Sequence, residues 1–261
     1  MDLQLTGKIA VVTGASRGIG LAITRALARE GVEVIAGART ASDELTALGA
    51  GGRVHFVPAD LAVPADAVKL VDAAVERGGV DILVNNVGAV TPRLDGFLGV
   101  TDEQWQSSLT LNLMAAVRVT RAALPTMIAA GHGVIVTTSS VNARLPDPTV
   151  IDYSAAKAAL SSFCKSLSKE FGPHHIRSVT VSPGPVATDL WLGSGGVAAT
   201  VARSSGADPD DVAARAAAES VTGRFTRPDE VADLVCFLAS DLAANITGAD
   251  VTIDGGLIST I

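Results

Sequence analysis

Ser140, Tyr153 and Lys157 are the residues whose types and spacing best support chemistry in this chain. Tyr153 and Lys157 stand one helical turn apart, so a helix carries both side chains on one face. An ammonium beside a phenol favours the phenolate, lowering a pKa that is about 10 when unperturbed. A tyrosine tuned toward neutrality exchanges protons with an alcohol or a ketone. Ser140 ends a strand-like run thirteen residues before Tyr153, where its hydroxyl would hold the substrate oxygen. A lone Y-x-x-x-K pair arises by chance on many helices, so its weight rests on the elements that position it.

Those elements fit one large α/β domain spanning residues 1–261, since the chain is short for two. Hydrophobic residues make up 48% and aromatics only 3%, which suits helix-on-sheet packing better than stacking of bases. The net charge of −7, without a basic run, argues against nucleic acid as a partner. Cys164 and Cys236 form no C-x-x-C pair and read as reduced thiols. His55, His132, His174 and His175 have no metal-ligand spacing, so no metal site is expected. A strand-like run begins at Lys8, which leaves no signal peptide to read, and no apolar run reaches about 18 residues. The expectation is a cytoplasmic protein without a membrane span.

Residues 8–12 are a short apolar run of the kind a buried parallel strand requires. Thr13-Gly14-Ala15-Ser16-Arg17-Gly18-Ile19-Gly20 follows, and then Ala22, Ile23, Ala26 and Leu27 continue one apolar helical face from Ile19. Strand, glycine turn and helix in that order suit a pyrophosphate, which the helix N-terminus attracts. A second strand over 32–36 ends in Gly37-Ala38-Arg39, with no acid for a ribose 2′-OH. Arg39, with Arg17 in reach, points to a 2′-phosphate and so to NADP(H) over NAD(H). A third strand over 53–57 leads to Asp60, which either meets adenine or caps the helix starting near Pro64. A fourth over 81–84 delivers Asn85-Asn86-Val87-Gly88 to the crevice end of the sheet. A long helix over 102–130 carries Asn112, which either bonds backbone or disturbs the helix and holds a water. Strands over 133–138, 176–181 and 249–253 and helices over 153–171 and 231–238 complete the alternation. Residues 187–226, rich in Gly, Ala and Ser, read as a lid or binding loop. Seven strands alternating with about six helices define a doubly wound parallel sheet of the Rossmann type.

TGASRGIG (13–20), NNVG (85–88), Asn112, Ser140 with Tyr153 and Lys157, and SPGPVATDL (182–190) together resemble the short-chain dehydrogenase/reductase family. The chain resembles the family's 3-ketoacyl-carrier-protein-reductase-like members, and the resemblance covers essentially the whole chain. Val87 departs from the family's usual alanine. The resemblance implies that Gly14, Ser16, Arg17, Gly18, Ile19 and Gly20 line the cofactor phosphates and that Arg39 meets the 2′-phosphate. It implies Asp60 and Leu61 beside adenine, with Asn86 and Gly88 nearby, and Pro183, Gly184, Val186 and Thr188 at the nicotinamide. Tyr153 would be the acid/base, Lys157 would lower its pKa and bind the nicotinamide ribose, and Ser140 would orient the carbonyl. Asn112 would hold a water in a proton relay. The family also implies a homo-oligomer, a tetramer or else a dimer.

The expected activity is hydride transfer between NADP(H) and a small-molecule carbonyl compound or secondary alcohol. A non-catalytic NADP(H)-binding regulator on the same fold is the alternative, against which the intact Ser140, Tyr153 and Lys157 weigh. Substrate identity is open among a ketoacyl thioester, a polycyclic ketone and a small secondary alcohol. Arg93 and Arg144 either meet an acidic substituent or are surface cations.

Overall fold

The computed structural model describes residues 2–260. In chain order the elements are β1 (Ile9–Thr13), α1 (Gly18–Arg29), β2 (Glu33–Ala38), α2 (Asp43–Gly49), β3 (Val54–Pro58) and α3 (Pro64–Val75). Next come β4 (Ile82–Asn85), α4 (Asp102–Leu109), α5 (Ala115–Ala130), β5 (Gly133–Thr138), α6 (Ile151–Phe171) and β6 (Ile176–Pro183). The chain ends with α7 (Asp189–Leu192), α8 (Val197–Ser205), α9 (Pro209–Ala218), α10 (Pro228–Ala239) and β7 (Asp250–Ile253). The strands form one seven-stranded parallel sheet, as the alternating pattern predicts, and their order is β3-β2-β1-β4-β5-β6-β7.

Register explains why the strands are apolar on both faces. Val11 lies beside Ile35 and Leu83, and this row packs under α3 and α5. Val12 lies beside Ala36 and Val84, and this row packs under α1 and α10. Successive residues therefore bury into opposite layers, which only a sheet covered on both sides allows. The strand order reverses between β1 and β4, and their carboxyl ends open the crevice where such sheets bind ligands.

Three elements differ from the sequence expectation. The short helix α2 was not anticipated; Ser42 caps it by accepting the Leu45 N–H at 3.1 Å, and Leu45 alone is buried. The helix expected over 102–130 is two helices joined by a π turn at Thr110–Met114, where the Ala115 N–H bonds the Thr110 carbonyl. Such a turn lengthens the hydrogen-bonded ring by one residue and marks functional positions in many helices. By length and composition alone the Asp102–Ala130 segment is apolar enough to cross a membrane, with a mean hydropathy of 1.3. In the fold, Ala115, Val119, Ala123 and Met127 from this segment are buried in the layer shared with α3.

The third difference is the 187–226 stretch, which holds α7, α8 and α9 rather than an extended loop. Its alanines are strong helix formers, and its glycines fall between the helices. A bridge between Val186 and Thr226 closes its base, with the Ala187 N–H on the Thr226 carbonyl at 2.9 Å. Trp191 packs on Phe225 with ring centroids 5.5 Å apart.

Candidate active site

The turn between β1 and α1 is built for an anion. Gly14 and Gly18 have φ of +67° and +55°, the left-handed region that side chains with a Cβ rarely adopt. α1 has no side-chain cap, so its first N–H groups stay available to a ligand. A Cβ on Gly18 would lie 3.3 Å from the Thr188 methyl, which brings the exit of β6 against the glycine turn. Asn86 closes the other side, its Nδ2 donating to the Thr13 carbonyl at 3.2 Å. Ser16 and Ile19 are half-buried on the turn, Gly20 is buried within it, and Arg17 is exposed. A nicotinamide dinucleotide fits this arrangement: a helix N-terminus without its own cap, and glycines where a Cβ would obstruct the cradle.

Arg39 is exposed at the end of β2 and lines a cavity of about 610 Å³ with Asp60, Asp102, Gln106 and Thr110. Of the two roles open to Asp60, capping α3 is not the one observed, because Val63 occupies that N-cap position. The Asp60 carboxylate instead accepts the Ala62 N–H at 3.0 Å, a local turn that leaves the residue on the cavity wall. Leu61 is buried, and its carbonyl accepts from Arg118 at 3.1 Å. Across the crevice, the Gly184 N–H bonds the Ile253 carbonyl at 3.0 Å, which fixes Pro183 and Gly184 against β7. Val186 is buried beside them at the base of the insertion.

Gly88 marks where the chemistry-bearing residues converge. A Cβ there would lie 3.0 Å from Asn112 Oδ1 and 3.4 Å from Lys157 Nζ. The Asn112 amide is engaged with backbone on both sides: Oδ1 accepts the Ala89 N–H at 3.0 Å and Nδ2 donates to the Ala89 carbonyl at 2.9 Å. Nδ2 also reaches the Ser108 carbonyl at 3.1 Å, the back-bond that accompanies the π turn. Lys157 is 3% exposed, and its Nζ donates to the Thr138 carbonyl at 2.8 Å while lying 5.7 Å from the Tyr153 ring centroid. Ser140, at the end of β5, lies near enough to the Tyr153 phenol for its hydroxyl to act on the phenol's pKa. All four candidate residues thus surround the mouth of the crevice.

The expected direction of the Tyr153 pKa is not what the structure gives. Burial raises it, and the nearby Ser140 hydroxyl opposes that rise only in part. Lys157 is itself buried, which holds its ammonium down at about 8, with an opposing contribution from Cys164. Spacing suggests a charge effect from Lys157, but desolvation sets the direction here.

The structure also brings in residues that sequence reasoning passed over. Ser140 Oγ donates to Asn142 Oδ1 at 3.1 Å and accepts the Asn142 N–H at 3.2 Å. Arg93 and Arg144 are not free cations: Arg93 pairs with Asp152 and Arg144 with Asp250 at 3.0 Å. Position within two residues of Ser140 and Tyr153 was the one sequence signal that Asn142 and Asp152 carried.

Comparison with known proteins agrees with this geometry. Residues 14–258 match the family described as enoyl-(acyl carrier protein) reductase. The chain is 36% identical to 3-oxoacyl-[acyl-carrier-protein] reductase FabG of Escherichia coli, covering 98% of this chain and 99% of that one. It is 34% identical to the uncharacterized oxidoreductase YvrD of Bacillus subtilis over the full length of both. Its fold superposes on L-sorbose reductase of Gluconobacter frateurii, solved with NADPH and L-sorbose, with a TM-score of 0.91, 34% identity and full coverage of both chains. The chain belongs to the short-chain dehydrogenase/reductase family. It is therefore an NAD(P)-dependent oxidoreductase of the class that interconverts carbonyl and alcohol groups.

Proposed function

We propose that the chain reduces a carbonyl compound with NADPH, or runs the reverse oxidation, with Tyr153 exchanging the proton. The observation that carries this reading is the Lys157 ammonium, held on the Thr138 carbonyl at 2.8 Å and 5.7 Å from the Tyr153 ring centroid. When bound, the nicotinamide supplies the hydride to the carbonyl carbon or takes it back. Tyr153 gives its hydroxyl proton to the carbonyl oxygen, and Ser140 supplies a second donor to the negative charge developing there. A raised pKa keeps Tyr153 protonated at neutral pH, which suits a proton donor. Lys157, itself buried, holds positive charge beside the phenolate left behind. Asn112 holds Ala89 and the π turn, fixing the strand-end loop next to Lys157.

Preference for NADP(H) over NAD(H) is supported by exposed Arg39 and Arg17 and by the lack of an acid at the end of β2. The glycine turn, Asn86, Gly88 and the Pro183–Thr188 exit are proposed as the remaining cofactor contacts. Purified protein with NADPH, tested against 3-oxoacyl thioesters, keto-sugars and apolar ketones, examines the reading. Carbonyl-dependent NADPH oxidation supports it; binding of NADPH without turnover of any carbonyl overturns it.

Self-association belongs to the same proposal. An apolar groove of about 260 Å³ runs between α5 and α6, lined by Val117, Leu124, Ile128, Phe163 and Phe171. A second copy of the chain is the proposed occupant. Light scattering on the wild type and on Ile128→Glu tests it, and an unchanged monomer mass in both would refute it.

A further inference from the structure

Tyr153 stands between two anchorages on one helix, and only one of them involves Lys157. The other is Asp152, the residue immediately before it, which is 2% exposed and paired with Arg93 from the loop after β4. Arg93 places both Nε and Nη2 on Asp152 Oδ2, at 3.1 and 2.5 Å. Its own N–H donates to the Thr149 carbonyl at 2.6 Å, just ahead of α6. The first turn of α6 has no side-chain cap of its own, since Val150 holds the N-cap position. The loop 89–96 therefore grips the start of the tyrosine helix, while the Thr138 carbonyl grips it at Lys157, one turn along.

We propose that the Arg93–Asp152 pair is a positioning device that sets where Tyr153 presents its hydroxyl. This rests on the reading of Tyr153 as the proton donor. The energetics point the same way. Asp152 Oδ1 is buried without a partner, so the pair is incompletely satisfied. A buried ion pair in that condition contributes little net stability, and apolar residues of similar volume would fold as well. What the pair supplies is geometry: two N–H groups converging on one oxygen tolerate little rotation of the first turn. Displacement of a reacting group by about 1 Å costs on the order of 100-fold in rate.

The test compares Arg93→Met/Asp152→Leu with the wild type by thermal melting, NADPH affinity and steady-state kinetics. The expected result is a melting temperature at or above the wild type and NADPH affinity within about threefold. The turnover number should fall about 10- to 100-fold with little change in KM. Wild-type turnover in the folded double variant overturns the proposal, as does a raised KM at unchanged kcat. Should the double variant not fold, Arg93→Lys decides, because it keeps the charge but replaces the two-pronged grip with one point. A fall in kcat of about tenfold at unchanged NADPH affinity supports the device, and wild-type kcat overturns it. Tyr153→Phe is run alongside. Full activity in that variant removes Tyr153 itself from the chemistry, a failure distinguishable from an ineffective Arg93–Asp152 pair.

Discussion

The Lys157 ammonium lies over the Tyr153 ring, 5.7 Å from its centroid, with both residues on one helix. Lys157 Nζ donates to the Thr138 carbonyl, so the charge is held in place rather than free to wander. A phenol in this position, its pKa raised by burial, is the site's natural proton donor. Tyr153→Phe should lower kcat about 1,000-fold while changing the NADPH dissociation constant by less than about threefold. Steady-state kinetics and fluorescence titration check both halves, and a near-normal kcat would assign the proton to another group.

Lys157 carries a stability cost that its removal should reveal. Burial holds its pKa at about 8, against 10.5 for the ordinary group. Between those two values the unfolded chain binds the proton and the folded one does not, so wild-type stability rises with pH across that window. Below about 8 both states are charged and the full cost is present, on the order of 3 kcal/mol before the bond to Thr138 is counted. Lys157→Met should therefore be inactive and yet gain most in stability, relative to wild type, at neutral pH. That gain should shrink steadily as pH rises from 8 toward 10.5. Urea melts of both proteins across this range measure it; a pH-independent difference would mean that Lys157 is not desolvated.

Much of this was legible in the chain, for local reasons. Runs such as 9–12 and 133–136 alternate with glycine turns, and buried parallel strands have few other sequence solutions. The glycine turn, Asn86, Gly88 and Ser140 follow strands and Tyr153 and Lys157 share one helix, positions that local pattern alone makes readable. Arg93 and Asp152 were not paired, because 59 positions separate them and each looks unremarkable in its own segment. The π turn at 110–114 was anticipated only as a disturbance at Asn112, since its cause is the tertiary contact with Ala89. The sign of the Tyr153 shift was misjudged because a neighbour's charge can be read from spacing, whereas desolvation depends on everything packed around it.

Arg39 should decide the cofactor. It is exposed at the end of β2, where the neighbouring Ala38 offers no carboxylate to a ribose hydroxyl. Charge-assisted bonds to a phosphate contribute about 1.5–3 kcal/mol, or roughly 10- to 100-fold in affinity. Arg39→Ala should weaken NADPH by about that factor and NADH by less than about threefold. Parallel titrations with the two cofactors read the ratio directly, and equal losses for both would place the 2′-phosphate elsewhere.

Asn142 controls what Ser140 can offer a substrate. A hydroxyl has one proton, and the Ser140 proton is directed to Asn142 Oδ1 at 3.1 Å. To stabilise a substrate oxygen, Ser140 must turn that proton away from the amide. An amide is a modest acceptor and releases it readily; a carboxylate at the same position would hold it far more strongly. Asn142→Asp should therefore lower kcat for ketone reduction about 100-fold, the scale of losing one donor to a developing oxyanion. Asn142→Ala removes the competing acceptor while the backbone N–H of residue 142 still holds Ser140 Oγ at 3.2 Å, so its kcat should stay within about fivefold of wild type. Measuring both variants with one ketone separates competition for the proton from simple loss of packing, which would make Asn142→Ala the worse of the two.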